Sequence, residues 1–89
     1  MKIARSEETA TTSLSEECIV LDINNGEYFG LEGALMELWL ELETGTREFD
    51  QILSKWKREF DQSEAELTDI LQNAIQELWA KNLVKVDAS

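Results

Sequence analysis

The chain predicts an α+β domain, a small three-stranded antiparallel sheet at the N-terminus followed by three helices. Three observations predict it. The run CIVLDINNGEYFGL, residues 18–31, sets an apolar and an aromatic stretch on either side of Asn24-Asn25-Gly26, residues that tolerate the positive φ of a tight hairpin turn. From Leu31 onward the apolar residues switch to a helical period and hold it almost to the C-terminus. The 89 residues form a single domain, 1–89. A chain of that size buries only roughly 60–65 % of its unfolded surface, which leaves no room for a large internal active site.

Residues 1–7 are expected to be flexible. Thr9 to Leu14 reads as a first strand, with Ser15-Glu16-Glu17 as its turn. Cys18–Ile23 and Glu27–Leu31 are the second and third strands. The chain has no proline, so capping residues must mark the helix starts. Helix one is expected over Glu32–Glu43, with Leu35, Leu38, Trp39 and Leu42 on one face and Gly45 as the terminating glycine. Helix two is expected from Thr46, a good N-cap, to Phe60, with Phe49, Ile52, Leu53, Trp56 and Phe60 on one stripe. Helix three opens with Ser63-Glu64-Ala65-Glu66, a capping box in which each end residue satisfies the other's backbone donor. It runs to Lys81 with Leu67, Leu71, Ala74, Ile75 and Leu78 inward. Asn82 is a left-handed stop, and Leu83–Val86 a short final strand.

Composition narrows the function. Apolar residues make up 43 % and charged residues 30 %, as in ordinary water-soluble domains. No apolar run approaches the ~20 residues of a membrane span, and the polar N-terminus lacks the apolar core of a signal peptide. A cytoplasmic protein is expected. Cys18 is the one cysteine and there is no histidine, so Cys18 reads as a small buried hydrophobe rather than a nucleophile. The net charge of −11 repels nucleic acid and anionic lipid surfaces. It serves solubility or the steering of a basic or mixed-charge partner, and both readings stand.

Catalytic chemistry finds no footing: there is no Ser-His-Asp set, no cysteine pair and no glycine-rich phosphate loop. The carboxylates match no calcium-loop spacing and soft metal ligands are missing, so neither a metal nor another cofactor is expected. A carrier-type modified serine is not expected at Ser63, whose neighbours Gln62 and Glu64 depart from the Asp-Ser-Leu pattern. Strands followed by three helices also fit a winged-helix-like topology, whose third helix often reads DNA. Here that helix carries Glu64, Glu66, Asp69 and Glu77 against Lys81, the wrong sign for an anionic groove. A winged-helix regulator binding nucleic acid or a protein is therefore the secondary reading.

The third strand is the stronger candidate site. An open strand edge presents free backbone donors and acceptors, which an extended peptide pairs with as an added strand. Glu27, Tyr28, Phe29, Gly30 and Leu31 offer that edge. Tyr28 and Phe29 point to opposite faces, so one packs on the helices and the other finds a different neighbour. On helix three, Ile70, Asn73, Ala74 and Glu77 lie on one flank of the inward stripe, and Trp79 lies on the other. Either flank is a candidate wall for a peptide groove.

In order and spacing these residues resemble the PqqD-like family, the leader-peptide recognition domains of ribosomally made, modified peptides. The resemblance runs from Val20 to Val84. It rests on Leu21-Asp22, Gly26, Tyr28-Phe29, Leu31 and Leu38-Trp39, then Ile52, Leu53 and Phe60-Asp61, then Leu71, Ala74, Ile75, Leu78 and Asn82-Leu83. Leu35 stands where the family commonly has Gly, and Glu32 where it commonly has Asn. The resemblance implies a winged-helix-like fold of three strands and three helices. It further implies a non-enzymatic adaptor; a monomer or weak dimer is expected, since a domain with a free edge can exchange strands. Its leader peptide would add to the third strand, lie against helix three, and be presented to a radical enzyme, leader peptidase or cyclase.

Overall fold

A computed structural model describes residues 1–88. The expected three-stranded antiparallel sheet is present as β2 (Thr9–Ser13), β3 (Cys18–Asp22) and β4 (Glu27–Leu31), in the order β2-β3-β4. Helices α1 (Ala34–Glu41), α2 (Phe49–Glu59) and α3 (Glu64–Ala80) follow. A second sheet, unforeseen as such, sets β1 (Lys2–Arg5) between β5 (Arg47–Glu48) and β6 (Val84–Asp87).

That second sheet corrects two expectations. Residues 1–7 are not a loose extension: they include β1, whose Ile3 is fully buried. Helix two does not start at Thr46, because Arg47 and Glu48 pair with Ile3 and Lys2 of β1. The helix begins one residue beyond that strand. Gln51 Oε1 accepts from the Glu48 N–H at 3.0 Å, and the Phe49 N–H donates to Met1 O at 2.9 Å, so strand pairing and capping meet at one joint.

Helix one is shorter than its periodicity implies. Gly33, at φ 61, separates Glu32 from the helix, and the Glu37 N–H donates to Gly33 O at 3.0 Å. Helix three follows the sequence closely. Ser63 Oγ accepts from the Glu66 N–H at 3.2 Å, but the Glu66 carboxylate accepts from the Ser63 hydroxyl at 3.1 Å, so only one half of the expected capping box forms; Asn82 ends the segment at φ 61. Its buried residues are the five expected, Leu67, Leu71, Ala74, Ile75 and Leu78.

One core joins both sheets to the helices. Ile3, Val20, Leu31, Leu38, Trp39, Ile52, Trp56, Leu71 and Leu83 are buried in it, and Cys18 is among them as a small apolar filler. The hairpin between β3 and β4 turns over four residues. Asp22, itself buried, organises it: Asn25 Nδ2 donates to Asp22 Oδ2 at 2.8 Å, and the Gly26 N–H donates to Asp22 O at 2.8 Å. Gly26 carries the positive φ, 68°.

Candidate peptide-binding edge

β4 is the outer strand of its sheet. Two backbone bonds fix which of its residues face outward. The Ile23 N–H donates to Glu8 O and the Leu14 N–H to Glu17 O, so Ile19 and Leu21 also direct their backbone groups at β2. Cys18, Val20 and Asp22 therefore face β4, where they pair with Leu31, Phe29 and Glu27. Tyr28 and Gly30 are left with N–H and C=O pointing away from the sheet.

Side chains alternate the other way. Leu31 is buried, and Phe29 packs against the core. Tyr28 is 71 % exposed on the outer face, where its cross-strand neighbour Leu21 and nearby Ile19 are half-buried. The choice between Tyr28 and Phe29 is thus resolved, with Phe29 inward. A Cβ on Gly30 would meet Glu17 Oε2 at 3.6 Å, ordinary contact, so Gly30 keeps the rim of the strand low without being sterically required.

Just past the end of β4 lies a pocket of about 280 Å³, lined by Gly33, Ala34, Glu37, Trp56, Phe60, Gln62, Leu67 and Ile70. Its wall is aromatic and aliphatic; Trp56 and Phe60 meet edge to face at 5.9 Å between ring centres. Glu37 adds a negative charge to the lining.

The two flanks of helix three separate cleanly. Ile70 lines the pocket that Gly33 and Ala34, which follow β4 in the chain, help to form. Asn73 and Glu77 are exposed further along that flank, and Ala74 is buried in the core. Trp79 lies instead in a hollow with Met1 and Val86, beside β6. Trp56, Phe60 and Gly33 were not singled out from sequence as pocket residues, because a pocket wall and a core stripe share one periodicity. No helix among the described residues is long and apolar enough to cross a membrane.

A family model described as Coenzyme PQQ synthesis protein D (PqqD) matches residues 17–84. The chain belongs to the PqqD family. The matched stretch holds β3, β4 and all three helices, hence the open edge and the pocket. β1 and β2 lie before it. No curated protein matched this PqqD-family chain. Among solved structures it is similar to "TbiB1 in Complex with the TbiA(beta) Leader Peptide", at 22 % sequence identity and a TM-score of 0.85. That match covers 97 % of this chain and 99 % of TbiB1. At that identity the likeness establishes a shared fold across nearly the whole PqqD-family chain, including both sheets.

Proposed function

We propose that the protein is a non-enzymatic, cytoplasmic adaptor. It binds the leader segment of a ribosomal precursor peptide by strand addition to β4 and presents it to a modifying enzyme such as a radical enzyme, leader peptidase or cyclase. The observation that carries this reading is the outward pair of backbone groups at Tyr28 and Gly30; the Ile70 pocket is lined in part by Gly33 and Ala34, which follow β4 in the chain. The backbone edge supplies affinity without regard to sequence, and the pocket supplies sequence preference. TbiB1, with the same fold, is described in complex with a leader peptide, which supports carrying that ligand class over.

The site dictates the chemistry of the ligand. An extended segment with one aliphatic or aromatic side chain placed for the pocket gains apolar burial. A basic residue near that anchor meets Glu37. Strand addition freezes a flexible peptide, so the net affinity falls in the micromolar range, about −8 kcal/mol. That strength suits a protein that must also release its cargo. The nucleic-acid regulator gains no support, since helix three presents Glu64, Glu66, Asp69 and Glu77.

A ¹⁵N-resolved titration with a synthetic leader from a precursor encoded in the same gene cluster tests this. The Tyr28 and Gly30 amides are expected to shift and to slow in hydrogen exchange. An unchanged β4 alongside saturable binding elsewhere would refute the assignment.

A further inference from the structure

The molecule has a second open edge. β6 is an outer strand of the β5-β1-β6 sheet. The Ser6 N–H donates to Leu83 O at 2.8 Å, and β1 pairs Ala4 with Lys85 and Lys2 with Asp87. The alternation of an antiparallel ladder then turns the backbone of Lys85 and Asp87 toward β1 and that of Val84 and Val86 outward. Beside this edge Trp79 is 60 % exposed and Met1 45 %. With Gln72, Ile75, Gln76 and Val86 they line a hollow of about 420 Å³ that contains no charged side chain. On a chain of net charge −11 such a patch is a local exception. A large exposed indole in a charge-depleted setting has the composition of an interface centre.

We infer that this edge pairs with the same edge of a second copy, antiparallel about a twofold axis through Val86. Two features of the sequence commit the site to that occupant. Val86 has its backbone groups outward, so it exchanges both bonds with the partner's Val86 on the axis. Lys85, which reaches the exposed Glu7 Oε1 of its own chain at 3.5 Å, then falls opposite the partner's Asp87, and Asp87 opposite the partner's Lys85, two cross-strand pairs of opposite charge. Pairing Val84 with the partner's Val86 instead would set Lys85 against Lys85, which like-charge repulsion disfavours. Val86 shares the hollow with Trp79, so the Val86 and Trp79 side chains of both copies join in one apolar strip across a six-stranded sheet. β4 lies in the other sheet, so both dimer subunits keep the edge assigned to the leader.

Two bodies of the same strong negative charge repel, and screening by salt favours their association. Analytical ultracentrifugation of the full chain without any peptide, up to about 1 mM and at ionic strengths of about 0.05 and 0.5 M, tests the pairing. A reversible dimer that strengthens several-fold at the higher salt is expected. Trp79→Ser weakens it at least about tenfold, and Val86→Pro and Lys85→Asp abolish it. The double variant Lys85→Asp/Asp87→Lys restores it. Circular dichroism reports the fold of each variant; should Val86→Pro fail to fold, the charge exchange decides alone. A monomer under all conditions, a dimer indifferent to these changes, or a charge exchange that fails to restore a dimer lost in Lys85→Asp would overturn the inference. Because no leader is present, none of these outcomes bears on the proposed function.

Discussion

Arg5 sits over the ring of Trp39. Its guanidinium sits 4.2 Å from the centre of the indole, while its Nη2 and Nε donate to the Trp39 carbonyl at 2.7 and 3.1 Å. Trp39 Nε1 in turn donates to Thr11 Oγ1 at 2.9 Å. One cation thereby ties β1 to helix one, and helix one's indole to β2. Burial pulls the Arg5 pKa below its ordinary value, with Glu43 opposing the shift.

Arg5→Ala removes the stacking and leaves a carbonyl without its two charged donors. A loss of about 2–3 kcal/mol in unfolding free energy is expected from chemical denaturation. Arg5→Lys should recover only part of it, because an ammonium cannot both stack and donate twice in that plane. A loss below about 0.5 kcal/mol for Arg5→Ala would mean that the contact contributes only surface electrostatics.

Lys55 offers a pH test. Its Nζ donates to Glu41 Oε1 at 2.7 Å, and this bond, more than the charge of Glu41 alone, raises its pKa above the ordinary lysine value. A raised lysine adds stability that is complete below the unfolded-state pKa and disappears as pH climbs through the folded one. Wild type and Lys55→Met are therefore expected to differ in melting temperature at neutral pH and to converge in the alkaline range. The shift is small, since the lysine is open to solvent. A difference that grows with alkaline pH would contradict it.

The sequence carried much of this fold and only part of its site. Helix three was readable over its length because Leu67, Leu71, Ala74, Ile75 and Leu78 keep one period over many turns. β3 and β4 were readable because their turn is local. The second sheet was not. β1 has a single fully buried side chain, Ile3, in a stretch that otherwise looks polar, and its partners Arg47 and Val86 lie far along the chain. Pairing at such range leaves no periodic mark. The same limit hid the start of helix two, because Thr46 is a good cap by type, while β5 holds Arg47 and Glu48 and leaves Phe49 as the first position free of the strand. The offset of Ile70 on helix three was legible, and Ile70 lines the pocket. Trp56 and Phe60 were legible as core, and Trp56 is buried in it with Phe60 packed against it; that the same stripe also walls a pocket was not legible, since the wall needs Gly33 and Ala34.

Ile70 and its neighbour Leu71 separate binding from folding. Ile70 is partly buried at the pocket, whereas Leu71 is fully buried. Ile70→Asp is expected to weaken leader binding by about 1–3 kcal/mol through lost apolar contact, with a melting temperature well above that of Leu71→Asp. Isothermal titration and thermal denaturation on the two variants check this. An Ile70→Asp protein that binds leader at full strength would remove the pocket from the site.

Proline placed along β4 tests strand addition most directly. The N–H groups of Tyr28 and Gly30 point away from the sheet and that of Phe29 points into it, by the alternation that the β2-β3-β4 ladder imposes. Proline deletes the donor and is tolerated on an edge where the lost N–H faces solvent. Tyr28→Pro and Gly30→Pro are therefore expected to stay folded by circular dichroism yet lose leader binding by at least about tenfold in fluorescence polarisation. Tyr28→Ala, which keeps the N–H, separates the backbone contribution from that of the ring, and Phe29→Pro is expected to unfold the sheet. Folded Tyr28→Pro and Gly30→Pro proteins that bind the labelled leader as tightly as the parent chain would contradict addition to β4.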